Sequence, residues 1–161
     1  MAQTVKDPSG ADYIVAKGNE ILLKSKRIII EKNKFSFNSG LILSVKHKTD
    51  SIKFYDQSGK VAWKVKLYDD KIKISDNEEN KNAWQLKLKD DKVKIYDPGE
   101  VEKFRIYLKD GKELEVKTDS KKLLFKTSGS KLAFAPGILV LDHIPEAHRA
   151  IIFFELNKLK R

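Results

Sequence analysis

The chain has 161 residues, 40% of them hydrophobic and 35% charged, with 33 Lys and Arg against 23 Asp and Glu for a net charge of +10. That length suits one domain with a real core, and the apolar share is too high for a disordered chain. The absence of cysteine excludes a disulfide scaffold, a Cys-ligated zinc and a thiol nucleophile.

The positive excess is spread along the chain. Residues 1–51 hold nine basic and five acidic side chains, residues 52–112 fifteen and twelve, and residues 113–161 nine and six. There is thus no basic or acidic tail. Residues 1–12, MAQTVKDPSGAD, are polar, lack the apolar stretch of a signal peptide and read as a flexible N-terminal segment. The longest apolar run, Ala150–Phe154, is far short of the ~20 residues a spanning helix needs. Together these features favour a cytoplasmic location for a single domain over residues 13–161.

Residues 13–16 can form an edge strand. Ile21–Leu23, Ile28–Glu31, Lys34–Phe37 and Leu41–Lys46 read as four more, with turns near Ser25, Asn33 and Asn38-Ser39-Gly40. The middle of the chain then repeats itself: IKFYDQSGKVAWKVKLYDDK (52–71), IKISDNEENKNAWQLKLKDDK (72–92) and VKIYDPGEVEKFRIYLKDGK (93–112). Each unit opens on an apolar-Lys-apolar triplet, turns at Asp56, Asp76 or Asp97, and runs out through Trp63, Trp84 or Phe104. Strict alternation puts Val61, Trp63, Val65 and Leu67 on one face and Lys64, Lys66 and Tyr68 on the other. Trp84, Leu86 and Leu88 repeat the pattern, as do Phe104, Ile106 and Leu108. A degraded copy spans 114–131, with a hairpin expected between Leu123–Lys126 and Lys131–Phe134.

After Pro136-Gly137 and the apolar run Ile138–Leu141, a helix is expected over residues 143–158. Asp142 suits its N-cap, Pro145 its first turn, and Lys158, Lys160 and Arg161 its C-terminal end. Its apolar residues exceed one narrow stripe, so protein should surround most of it. The fold expected is mainly β: an antiparallel meander of about 10–12 strands, curled into a barrel or half-barrel and packed on one C-terminal helix.

Tyr55-Asp56-Gln57-Ser58-Gly59, Tyr96-Asp97-Pro98-Gly99 and a hydrophobic C-terminal helix at 143–158 together resemble the LURP-one-related proteins of the tubby C-terminal-like fold. The middle copy reads Ser75-Asp76 where the others read Tyr-Asp. The resemblance spans about residues 13–158 and implies a twelve-stranded barrel wrapped around that helix. Relatives in that fold include phosphoinositide-binding and lipid-scrambling proteins. The resemblance brings no binding residue with it.

Catalytic and metal readings fare poorly. Asp142, His143, Glu146 and His148 offer metal-ligand types, but the histidines lie about 140° apart around a helix and do not share a face. A capping Asp and two helix-end histidines fit better. His47 sits between two lysines at a strand end, and Ser128 and Ser130 flank Gly129 without a nucleophile-elbow pattern. The pairs Asp69-Asp70 and Asp90-Asp91 recur with the repeat as turn formers. No phosphate loop or dinucleotide fingerprint occurs. The chain therefore reads as no enzyme, with no catalytic residue, metal or cofactor to name and little case for a small-molecule substrate.

The basic strand face is the better candidate. Lys64, Lys66, Tyr68, Lys87, Lys89, Lys94, Tyr96, Arg105 and Tyr107 alternate outward, while acids gather at turns. Cations interleaved with tyrosines can bind an anionic lipid or membrane surface, or stack single-stranded nucleic acid, the lesser of the two. The competing explanations are lysines that only keep a wet sheet soluble and unpaired, or a structural domain with a protein partner. Trp63 and Trp84 share parity with the core and are expected inside.

Overall fold

Fourteen antiparallel strands close into one barrel in the computed structural model, which describes residues 3–161. In chain order they are β1 (Gln3–Lys6), β2 (Asp12–Lys17), β3 (Glu20–Leu23), β4 (Lys26–Glu31), β5 (Lys34–Phe37), β6 (Gly40–His47) and β7 (Ser51–Tyr55). The second half comprises β8 (Val61–Leu67), β9 (Lys71–Ser75), β10 (Trp84–Lys89), β11 (Lys92–Tyr96), β12 (Glu102–Lys109), β13 (Glu113–Thr118) and β14 (Leu123–Ser128). Every strand pairs with its neighbours in sequence, and β1 closes the ring on β14 through Val5↔Thr127 and Lys6↔Lys126. A sheet this wide curls because its strands twist, and closure removes both exposed edges.

Two expectations fail at this seam. The segment 1–12 was expected to be flexible, yet Gln3–Lys6 is a strand fixed by β2 on one side and β14 on the other. Its single buried residue, Val5, gives too little apolar alternation to read as a strand. Lys131–Phe134 is no strand either, because β1 already occupies the free edge of β14. The strand number, fourteen, exceeds the ten to twelve expected.

Up-and-down connectivity gives the barrel two ends. The terminal end holds the start of β1 and the end of the chain, where Ala135 N–H donates to Arg161 O. At the far end, five turns share one construction. A side-chain oxygen of Asp7, Asp56, Asn77, Asp97 or Thr118 accepts from the backbone N–H four residues on, at 3.1, 3.0, 2.7, 3.0 and 3.0 Å. The carbonyl of the same residue accepts from the N–H three residues on. That third residue is left-handed in each: Gly10, Gly59, Asn80, Glu100 and Lys121, with φ between 58° and 88°. Asp and Asn suit such turns because their side chains imitate the backbone. The Ser9 and Ser58 hydroxyls, donating to Asp7 and Asp56, hold those two carboxylates below the usual range.

The barrel is filled by its own C-terminus. From β14 the chain turns in through a short 3-10 helix, Ala135–Val140, buried at every residue. Here glycine is required: a Cβ on Gly137 would lie 2.7 Å from Leu86 Cδ2 and 2.9 Å from Ile95 Cδ1. The helix α1 (Glu146–Lys158) then runs back towards the terminal end. Ala150, Ile151, Ile152 and Phe153 are all buried, and four consecutive buried positions circle the helix, as an enclosed helix requires.

The helix starts three residues later than expected, and Asp142 is not its cap. Pro145, with φ −53° and ψ 143°, takes the cap position. Proline disfavours helical backbone in the residue before it, so Asp142 and His143 make a separate turn, with Ile144 N–H bonded to Leu141 O, and the helix starts after Pro145. Asp142 is exposed and pairs instead with Arg149 at 3.3 Å, while Arg149 donates to Leu139 O at 2.9 Å. That ties α1 to the 3-10 helix.

Candidate functional site

The register of the wall sets side chains opposite one another across strands. Lys71, Lys87, Lys94, Arg105 and Lys117 face each other in turn on β9, β10, β11, β12 and β13. Their neighbours Ile72, Leu86, Val93, Ile95, Ile106 and Val116 point inward and are buried, so the cations line the outer face. Beside this row, Lys66 pairs with Lys73 and Gln85 with Tyr96. On its other side, Lys89 pairs with Lys92, and Lys92 with Tyr107. Like charges directly opposite on a sheet are destabilising, and at ~5 Å in water each such pair costs ~0.8 kcal/mol before salt screening.

Tyrosines support the lysine stems. Tyr68 lies under three ammoniums: Lys71 at 4.9 Å from its ring centre, and Lys66 and Lys73 both at 5.7 Å. Lys87 sits 5.2 Å over Tyr96, and Lys117 5.4 Å over Tyr107. Cation–π attraction fixes these lysines over the rings while leaving their outward sides to solvent.

Carboxylates reach only part of the row. Glu102 pairs with Arg105 and, at 3.7 Å, with Lys94; Glu115 lies 3.4 Å from Lys117, and Asp91 2.8 Å from Lys92. The Arg105 guanidinium, hydrogen-bonded to Glu102, holds that carboxyl below its usual range. Lys66, Lys71, Lys73 and Lys87 form no ion pair among the described residues. The first three ring Tyr68, Lys87 stands over Tyr96, and together they make the uncompensated centre of the face.

Of the nine residues expected to form an anionic-ligand face, Lys66, Tyr68, Lys87, Lys94, Tyr96, Arg105 and Tyr107 come together here. Lys64 leaves the group: its Nζ donates to Glu78 O at 2.7 Å, beside the 2.7 Å Lys53–Glu78 pair. Lys89 stands exposed at the rim. Lys71 and Lys117 were missed. Parity with Lys73 could have revealed Lys71, but Lys117 joins the row only through strand register. Leu88, expected inside, is 42% exposed because β10 reaches past the core at the terminal rim.

The helix-end residues are engaged one by one. Tyr13 donates its hydroxyl to Glu146, which also lies 3.2 Å from Lys24 Nζ. Burial and that carboxylate push the Tyr13 hydroxyl up. Trp63, 8% exposed, donates Nε1–H to His148 Nδ1 at 2.9 Å. Trp84 is half-buried at the rim, stacked on His143 at 5.4 Å between ring centres and 12° between planes. Desolvation lowers both histidines; Asp76 and Asp142 oppose this at His143 and Arg149 adds to it.

Away from the basic face, an open cleft of about 500 Å³ follows the seam and mixes Lys6, Lys109, Lys112 and Lys126 with Asp110 and Glu113. No helix among the described residues is long and apolar enough to cross a membrane.

No family model and no curated protein matches the chain. A solved structure of a protein from Arabidopsis thaliana aligns with it at 13% identity and a TM-score of 0.46, over 84% of this chain and 90% of that one.

Proposed function

We propose that this is a non-catalytic binding module whose β9–β13 face docks on an anionic membrane surface. The cation row carries the reading: Lys71 and Lys87 in it, with Lys66 and Lys73 beside it, accept electrostatic cost in the free protein that an overlying plane of anionic headgroups would relieve. Five strands at ~4.8 Å spacing span ~19 Å, wide enough to engage several headgroups at once. A near-surface Lys or Arg contributes about 1 kcal/mol, so the row supplies about 5 kcal/mol at most and the attachment is reversible. The resemblance of the Tyr-Asp turns and C-terminal helix to the LURP-one-related and tubby-like proteins supports a lipid role. Anionic lipids concentrate on the cytoplasmic leaflet, which accords with a cytoplasmic location.

Single-stranded nucleic acid is the weaker reading because the tyrosine rings are already roofed by lysines. A stacking base would have to displace Lys71 from Tyr68 or Lys87 from Tyr96. The test is co-sedimentation with neutral and anionic vesicles at physiological salt. Binding to anionic vesicles only is expected, with loss in the K71E/K87E/K94E variant and retention in K109E/K112E/K126E, which carries the same charge change at the seam. Equal loss in both variants would reduce the face to bulk charge, and no vesicle binding at all would point to a protein partner.

A further inference from the structure

The rim where α1 enters the barrel holds chemistry that the basic face does not use. Trp63 of β8 is a donor only, and its partner atom is Nδ1 of His148. The bond therefore requires a bare Nδ1 and places the proton of the neutral ring on Nε2. Protonating Nδ1 would set one N–H against another at 2.9 Å, in a half-buried site. It would also add a positive charge in the first turn of α1, where the helix dipole disfavours one.

The surrounding charges do little to rescue an imidazolium. Asp142 is paired with Arg149, and Glu146 with Tyr13 and Lys24. Asp76, just beyond β9, accepts from Asn77 and faces His143 rather than His148. Arg149 follows His148 in the helix and carries the same charge the ring would gain. The strands packed here, β8 and β10, contribute only the uncharged Trp63 and Trp84 to the pair of histidines.

We propose that Trp63 and His148 form an acid-released latch on the far end of the plug helix, closed while Nδ1 is bare and opened when it takes a proton. The direction of pH dependence follows. Desolvation lowers His148 in the folded chain, so the unfolded chain binds the extra proton first. The latch contributes in full above the ordinary histidine value of about 6.5 and is lost as pH falls from there through the lowered folded value.

The chain has two tryptophans, both at this rim, so W84F leaves Trp63 as sole reporter. Trp63 emission should change with a one-proton titration between pH 7 and 5, accompanied by a fall of about 3 °C in melting temperature. H148Q, which keeps an acceptor but cannot titrate, should abolish the emission change and shrink the fall in melting temperature, to which His143 adds its own part; H143Q should keep the emission change. Should H148Q not fold, imidazole nitrogen NMR of the native chain decides. An Nε2–H tautomer with a midpoint below 6.5 supports the latch. A midpoint at or above 6.5, an Nδ1–H tautomer, or an unchanged titration in H148Q overturns it.

Discussion

At the far end of the barrel, α1 meets the wall through two aromatic donors, Trp63 on His148 and Tyr13 on Glu146. At the terminal end the contact is a buried carboxylate: Glu155, 2% exposed, lies 3.1 Å from His47 Nε2 on β6 and 2.9 Å from Lys158 Nζ of the helix itself. Both anchors add directional contacts to a helix already enclosed by apolar packing. They differ in what loosens them. A buried carboxylate beside a lysine resists removal of its partner, because the charge left behind has no water to replace that partner. A neutral donor–acceptor pair depends instead on which nitrogen carries a proton.

The largest test removes what the two ends share. Phe153→Ala, at a fully buried mid-helix position, should cost about 3–5 kcal/mol in denaturant titration and weaken both anchors together. Loss at one end alone would show that the anchors act independently. Next, Glu155→Gln keeps the shape but removes the charge, and should cost about 2 kcal/mol. The deficit should persist in high salt, since the carboxylate is buried.

Tyr13→Phe acts at the other end and should cost about 1 kcal/mol near neutral pH. Its signature lies in acid. The Tyr13 hydroxyl, chiefly, holds Glu146 below the usual carboxylate range. Glu146 therefore contributes stability above its unfolded value, lost as pH falls through the lowered folded value. Without the hydroxyl the loss should be smaller and should end at a higher pH, which thermal melts from pH 6 to 3 would show. The smallest effect lies in a turn remote from both anchors. Glu100 is left-handed at φ 65°. Glu100→Gly should stabilise by about 0.5 kcal/mol, the αL penalty less the entropy glycine adds to the unfolded chain. The pH response at the helix ends should not change.

The wall was legible because alternation is a local signal. Val61, Trp63 and Val65 announce their face within a few residues, and the far-end turns advertise themselves through Asp and Gly. β1 was not legible, since Gln3–Lys6 shows one buried residue of its own and is held between β2 and β14, the latter more than a hundred positions away. At the helix start Asp142 resembles a cap in sequence, but the backbone constraint of Pro145 decides where the helix begins. For the site, sequence parity found most of the basic face. It could not tell that Glu78 draws Lys64 away, or that Lys117 completes the row, because both depend on loop path and register.

Apart from the β1–β14 seam, each strand pair joins consecutive segments, so the wall can zip up hairpin by hairpin as the polypeptide is made. The filling is different, for Ala135–Leu156 follows the last strand and emerges only when all fourteen exist. Until then the inward rows of Ile, Leu and Phe have nothing to pack on. A nascent chain thus passes through a stage with a finished rim and a hollow, greasy interior, and that is the moment at which a chaperone would find most to hold.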